Sequence, residues 1–413
     1  MSNRFHTVNA PDYVHQFKCV GSDCPDTCCA GWRVDVDKAT YKKIKSLDDK
    51  PAFNLIKSYF KVNPEADTLR HGFIQMEPSG KCPALTQTQL CAIQSELGED
   101  YLSKTCQLYP RQFSNIGQET EMHLYLSCPE AARLCLESDA PPVYSPIDLT
   151  IPKGKLLPTV GGFTTKPGKA IPPKVSMFWQ VRDLIFELSS IPNMPLWELV
   201  LLIGFLCEKL QNYFNTETEP KHEHIEMLVL QTKLVALDGS FHQEVAHILP
   251  EERVLGLRAL YMQVMTNERM QLPGAKDTAF IALISESFEG YNAFMDSKAH
   301  SPGAVWSEPN ALIEKTLRNF LRNEVGLQAF PRLQEADWLS QWRKIVIKLS
   351  LISFYLNGLS KFHRDAFGSA HCITLVQKFS KAISHNSLFL PRIDSLMSKA
   401  GIDGVAGLGI LAR

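Results

Sequence analysis

The chain has 413 residues, 45% of them hydrophobic and 21% charged, with 43 Lys and Arg against 44 Asp and Glu. That length suggests two or three domains with substantial cores, and the composition excludes collagen-like, coiled-coil and wholly disordered chains. A net charge of −1 argues against a protein whose main task is gripping nucleic acid or an anionic membrane.

The first ten residues, Met1 to Ala10, hold no apolar h-region, so no secretory signal is expected. The longest uncharged apolar run, Leu199 to Cys207, is about half of the roughly 20 residues a membrane-spanning helix needs. A cytoplasmic protein with no membrane partner is the expectation. In the cytoplasm thiols stay reduced, and 9 of the 11 cysteines fall before residue 136. Such a cluster points to metal binding or thiol chemistry rather than disulfides.

Residues 1–137 read as a Cys-rich metal-binding domain of loops and helices, with one helix expected around Asp37–Lys57. Residues 138–174 change character: Ser138 to Pro173 contains 8 prolines and 4 glycines and no helical period, as an extended connector or strap would. Its Gly161-Gly162 pair reads as a turn. From about Val175 to residue 413 the pattern is helical. Met177, Phe178, Val181, Leu184, Ile185 and Leu188 mark one face. Further faces lie in Leu196–Tyr213, His224–Leu237, Arg253–Thr266, Asp277–Ser297, Ala311–Glu324, Trp338–Leu356 and Ile373–Ser384. No repeat of fixed period is present. The fold class is therefore mainly α, the Cys-rich part followed by an all-helical C-terminal domain.

The chemistry concentrates in the thiols. Cys19, Cys24, Cys28 and Cys29 lie within eleven residues, with Gly21 and Pro25 between them; Cys82, Cys91, Cys106 and Cys128 are more widely spaced. Thiolate is a soft ligand suited to zinc or iron–sulfur clusters. Paired Cys-x-x-Cys zinc knuckles are lacking, as are the common ferredoxin spacing and a Cys-x3-Cys-x2-Cys triplet. The histidine groups His222/His224 and His242/His247 are spaced wrongly to share one helix face, and make poor metal sites.

The runs Phe17-Lys-Cys19-x4-Cys24-x3-Cys28-Cys29-x-Gly31-Trp32, Cys82-Pro-Ala-Leu, Leu90-Cys91-Ala-Ile, Leu97-Gly-Glu99-x2-Leu-Ser-x2-Cys106-x2-Tyr109-Pro-Arg111 and Ser127-Cys128-Pro-Glu130-Ala-Ala resemble the flagellin lysine N-methylase (FliB) family. A related, shorter Cys-rich pattern marks zinc- or iron-chelating domains. The resemblance is dense over residues 13–135. Phe178-Trp179-x2-Arg182-Asp183 and Arg318-Asn-Phe-Leu321 look like that family's C-terminal landmarks.

The resemblance implies a protein-lysine N-methyltransferase moving methyl from S-adenosylmethionine to flagellin lysines, with a [4Fe–4S] cluster on some of the eight shared cysteines and zinc as the alternative metal. Cys135, Cys207 and Cys372 lie outside the shared pattern and are expected as buried thiols. Methylating lysine needs the neutral amine, so a base or a desolvating pocket is required. Tyr109, Glu130 and Glu99 stand closest in sequence to shared cysteines and are the catalytic candidates. Arg111 is a candidate for the donor's carboxylate. No strand followed by Gly-x-Gly-x-x-Gly announces a Rossmann donor site, which leaves a cluster iron as one candidate for holding the donor's amino and carboxylate groups. A non-catalytic zinc- or iron-chelating protein is the alternative function, disfavoured by the 240 further helical residues.

Overall fold

The computed structural model describes residues 4–49, 51–66, 70–151, 159–192, 194–272, 277–298, 306, 310–335 and 337–413. The N-terminal part runs β1 (Arg4–Pro11), α1 (Asp12–His15), β2 (Val34–Val36), α2 (Lys38–Lys45), α3 (Pro51–Tyr59), β3 (Phe60–Val62), β4 (Gly72–Ile74), α4 (Ala92–Leu97), α5 (Lys104–Leu108), β5 (Arg111–Gly117), β6 (Glu119–Leu124), α6 (Pro129–Glu137), β7 (Tyr144–Ile151) and β8 (Thr159–Thr164). Helices follow: α7 (Pro173–Leu188), α8 (Leu196–Thr216), α9 (His222–Asp238), α10 (Ser240–Ile248), α11 (Glu251–Gln271), α12 (Thr278–Lys298), α13 (Ala311–Leu327), α14 (Trp338–His363), α15 (Ser369–Ile383), α16 (Phe389–Lys399) and α17 (Val405–Ala412).

The chain is 61% helical and its C-terminal part is built from helices, as the periodicity predicts. The N-terminal part differs from expectation: it holds two sheets and is not made of loops and helices alone. Strands β7-β1-β6-β5-β8 form a five-stranded sheet, and β2-β4-β3 form a small antiparallel one. The predicted helix Asp37–Lys57 is two helices. Asp37 caps the first by accepting from the Thr40 N–H at 3.0 Å, and Pro51, which fits a helix start but not its interior, opens the second.

The Pro/Gly-rich stretch supplies both outer strands of the large sheet. An edge strand tolerates proline because one row of its backbone groups faces no partner, and Pro146 sits in β7 opposite Asn9. Gly161-Gly162 is therefore strand and not turn. Gly162 has φ +83°, and a Cβ there would lie 1.9 Å from the Asn115 carbonyl oxygen on β5. Residues 152–158 of the expected connector lie outside the described residues.

One hydrophobic core runs through both halves, so it does not break at residues 137 or 174. Val8 and Ala10 of β1, Tyr13 of α1, Phe113, Met122 and Leu124 of the sheet, and Ala131 and Leu136 of α6 join the buried faces of α7–α17. A smaller core gathers Val34, Val36, Ile44, Ile56, Phe60, Ile74, Ile93 and Leu102 beneath the cysteines. Polar ties reinforce the join. Arg182 of α7 makes a buried bidentate pair with Glu121 of β6, both bonds 2.9 Å, and Asn319 of α13 donates to the Ser138 carbonyl at 2.8 Å. Both residues belong to the C-terminal sequence landmarks.

Helix α14 is long and apolar enough by composition to cross a membrane, yet 78% of its most apolar window is buried. It is the central core helix, packed by α8, α12, α13 and α15. Against α12 the backbones nearly touch: a Cβ on Gly290 would stand 2.0 Å from the Gly358 oxygen. Two glycines at this crossing allow the approach.

Candidate functional site

The cysteine loop of residues 19–32 has little regular structure of its own and is held against α15. The Asp26 carboxylate accepts from Lys381 Nζ at 2.9 Å, Lys378 Nζ at 3.0 Å and Gln377 Nε2 at 3.0 Å. Burial pushes this carboxyl up, but the two lysines outweigh it and hold the group below the usual carboxylate range. Gln377 also donates to the Ser127 carbonyl at 2.9 Å, so one helix fixes both the loop and the approach to Cys128.

The eight shared thiols converge from these supports. Cys82 donates its backbone N–H to the Cys29 carbonyl at 2.7 Å, and Leu85, three residues on, pairs with Cys91 in an isolated bridge. Ser103 caps α5 and orients Cys106 in its first turn. Cys29, Cys82, Cys91 and Cys106 all pack on the small core. Cys128 sits at the N-terminus of α6, where Pro129 opens the helix. Cys19, Cys24 and Cys28 come from the docked loop. Cys28 lies between the two groups, near enough to interact electrostatically with Cys24, Cys29, Cys82, Cys106 and Cys128.

The thiols differ in acidity. A hydrogen bond from Cys29 lowers Cys28, with Lys381 adding to the effect. Burial pushes Cys106 up to about 12 and Cys128 up to about 11. In number and softness the set fits a thiolate-bound metal. Among the described residues no three Cys, His, Asp or Glu side chains stand gathered tightly enough to grip an ion as they are. Cys135, Cys207 and Cys372 are buried in the main core.

Beside Cys28 and Cys128 lies an aromatic group. The Trp32 ring stacks on His385 with centroids 5.0 Å apart and meets Tyr109 at 5.3 Å; Tyr125 closes on His385 at 5.2 Å. Trp32 Nε1 donates to the Cys28 carbonyl at 2.7 Å, which locks the ring over the loop. A hydrogen-bonded chain runs through it: Tyr109 Oη to Ser127 Oγ at 3.0 Å, and Ser127 Oγ to His385 Nε2 at 2.8 Å. Burial, then the nearby Cys128, raises the Tyr109 phenol well above its usual range, so it stays protonated at neutral pH. Burial, helped by Lys381, lowers His385 to about 4, so its imidazole is neutral at pH 7 and a weak base.

The structure brings Tyr109 and Arg111 to this site; Glu99 lies near enough to Arg111 to interact with it electrostatically, and Glu130 is turned to Arg133. Glu130 is held by Arg133 through two hydrogen bonds of 2.7 and 2.8 Å, and that contact lowers its pKa, leaving a weak base. Glu99 is exposed on a short 3-10 turn; its carbonyl, not its carboxylate, accepts from Gln107. The Arg111 guanidinium lies 5.1 Å from the centre of the Phe17 ring and near Cys19 and Cys128. Sequence reasoning missed His385, Ser127 and Asp26. Ser127 precedes a shared cysteine and Asp26 lies inside the first cluster. No local signal marks His385, which reaches the site only because α15 ends there.

Fold and site together define a mostly helical protein with a thiol constellation clamped to its C-terminal helices beside a cluster of aromatic rings. The chain belongs to the FliB family: the profile of the FliB lysine N-methylase C-terminal domain matches residues 182–411. It is similar to the lysine-N-methylases of Salmonella typhimurium and Salmonella choleraesuis, 34% identical to each over 136 residues, or 32% of this chain and 34% of each relative. The same identity and length relate it to the flagellar biosynthetic protein FliU of Salmonella muenchen, there covering 80% of that protein. The match thus spans about a third of the length of the two lysine-N-methylases. No solved structure matches the chain.

Proposed function

We propose that this chain is a cytoplasmic protein-lysine N-methyltransferase that moves methyl from S-adenosylmethionine to surface lysines of flagellin, with a [4Fe–4S] cluster held by four of the eight converging thiols. Family membership supports the reaction class. The observation that carries the reading is the neutral Tyr109–Ser127–His385 chain set against Cys28 and Cys128 beneath the half-exposed Trp32 ring.

A lysine ε-ammonium entering beside Trp32 would leave water for a ring-lined pocket, which lowers its pKa. Tyr109, Ser127 and His385 are neutral and can hydrogen-bond the amine, and the proton it sheds passes to water as it enters. The neutral amine then attacks the methyl carbon: the N–C bond forms, the C–S bond breaks, and the donor leaves as its thioether. Ring packing from Trp32, Tyr109 and Tyr125 limits water, which would otherwise re-protonate the amine. The thiolates of Cys29, Cys82, Cys91 and Cys106, or of Cys19, Cys24, Cys28 and Cys128, are the two natural quartets for the cluster. When bound, such a group supplies a redox-active, Lewis-acidic iron.

Anaerobic purification with iron, sulfide and zinc analysis, followed by incubation with flagellin and labelled S-adenosylmethionine, tests the reading. About four iron and four sulfide per chain with label on flagellin lysine is the expected result. Metal without label transfer would favour the chelating-protein alternative. Zinc in place of iron would remove the cluster but leave the methyltransferase open to the same label assay.

A further inference from the structure

A second candidate site includes Arg332, which lies near enough to Tyr125 to interact with it electrostatically. The turn after α13 and the first half of α14 enclose a cavity of about 80 Å³. One water needs roughly 10–15 Å³ of such space, so a polar group of several heavy atoms fits. Its wall carries three cations, Arg332, Lys344 and Lys348, against one lining carboxylate, Glu335, and its apolar side is made by Phe330 and Leu390.

These charges are unequally engaged. Lys348 is buried and spent on an ion pair with the equally buried Glu324. Arg332 uses three of its five N–H groups: Nε to the Gln328 carbonyl at 2.9 Å, one terminal nitrogen to Gln328 Oε1 at 2.7 Å, and the other to Glu335 at 3.0 Å. Two remain. Lys344 is half-buried, and among the described residues its ammonium has no hydrogen-bond or ion-pair partner. The turn that presents Arg332 is fixed in advance, because Gln341 accepts from the Arg332 backbone N–H at 2.7 Å and donates to its carbonyl at 3.2 Å. A rigid wall with an unspent ammonium, two unspent guanidinium N–H groups and one carboxylate matches a zwitterionic α-amino acid.

Two larger clefts lack this chemistry, and the small one that holds Asp12 and Arg322, about 20 Å³, has room for little more than a water. The one between α11 and α12, about 510 Å³, is lined by uncharged side chains, and the one of about 610 Å³ at Glu208 and Asp337 is acidic. Position agrees as well. Tyr125 has His385 on one side, with ring centroids 5.2 Å apart, and interacts electrostatically with Glu324 and Arg332 on the other. Leu390 follows His385 by five residues and lines the cavity.

We propose that this cavity binds the amino-acid end of the methyl donor, its carboxylate on Lys344 and Arg332 and its ammonium on Glu335, leaving the sulfonium to reach past Tyr125 toward the aromatic pocket. The proposal rests on the donor being S-adenosylmethionine, and it makes chelation of the donor's amino and carboxylate groups by a metal unnecessary.

Equilibrium binding to the full-length purified protein tests it, with S-adenosylhomocysteine and 5′-methylthioadenosine as probes; the second lacks the amino-acid end. The wild type should bind S-adenosylhomocysteine the more tightly. Lys344→Gln should weaken S-adenosylhomocysteine about 10-fold or more while leaving methylthioadenosine unchanged. Lys344→Arg should restore most of the difference. Because Lys344 has no structural partner, these variants should melt as the wild type does. If the wild type binds S-adenosylhomocysteine and Lys344→Gln binds it equally well, the cavity assignment is overturned and the donor stands. If the wild type binds neither S-adenosylmethionine nor S-adenosylhomocysteine, the donor reading falls and takes the cavity assignment with it.

Discussion

Replacing Asp26 with asparagine should release the cysteine loop without unfolding the protein. In the native state the carboxylate is contacted by two lysines, all three side chains only 14–15% exposed, so solvent screens these pairs weakly. Lys378 would keep Asp277 at 3.1 Å, and Lys381 would keep the Thr27 carbonyl at 3.0 Å. Lys378 nonetheless loses one charge-assisted hydrogen bond and Lys381 two; counted as one pair per lysine at about 1.5 kcal/mol, the low end, the loss is about 3 kcal/mol. That corresponds to roughly 100-fold more frequent opening of the loop. Hydrogen exchange read by mass spectrometry should show amides of residues 19–32 exchanging about 100-fold faster, with α14 unchanged. Lys381→Met should reproduce much of the effect, and the double variant should add little, because both remove the same contact. Unchanged exchange in residues 19–32 would refute the anchoring role. Acceleration spread evenly over α7–α14 would show instead that Asp26 supports the whole fold.

Three further outcomes follow from named contacts. His123 is buried beside Arg182 with its pKa lowered to about 3, so its contribution to stability is intact above pH 6.5 and is lost as pH falls toward 3. Between pH 7 and pH 4.5 it should cost about 3 kcal/mol, visible as a falling urea midpoint that flattens in His123→Gln; an equally steep profile in the variant would rule it out. Gly162→Ala places a Cβ 1.9 Å from the Asn115 oxygen at a φ of +83°, and should lower stability by about 2 kcal/mol or more in denaturant titration; a neutral result would mean that β8 is not paired as described. Ser127→Ala interrupts the Tyr109–His385 chain and should slow flagellin methylation about 10- to 100-fold while bound iron stays constant; full activity would exclude that chain from holding the amine.

The helical half was legible because its signal is local. A helix buried on one side writes its contacts every three or four residues, and the faces read at Ala311–Glu324 and Trp338–Leu356 fall inside α13 and α14. The sheet was not legible, because its outer strands carry Pro146 and Gly161-Gly162 where apolar alternation would normally announce a strand. Their pairing depends on partners more than a hundred residues away for β7 and on a glycine's tolerance for β8. The site divides the same way. The thiols are grouped in sequence and stand out there, and Tyr109 and Arg111 stand close to them along the chain. Glu130 was proposed for proximity along the chain, but three residues on stands an arginine that occupies it. His385 comes from the opposite end of the molecule.

The pairing of β1 with β7 joins residues 4–11 to residues 144–151, and so closes the entire thiol-bearing segment into one long loop. A ribosome would deliver β1 more than a hundred residues before its antiparallel partner. A fragment ending at residue 137 would leave β1 without β7 and β5 without β8, exposing two strand edges that invite aggregation. Closure of so long a loop carries an entropic cost that grows with the logarithm of its length.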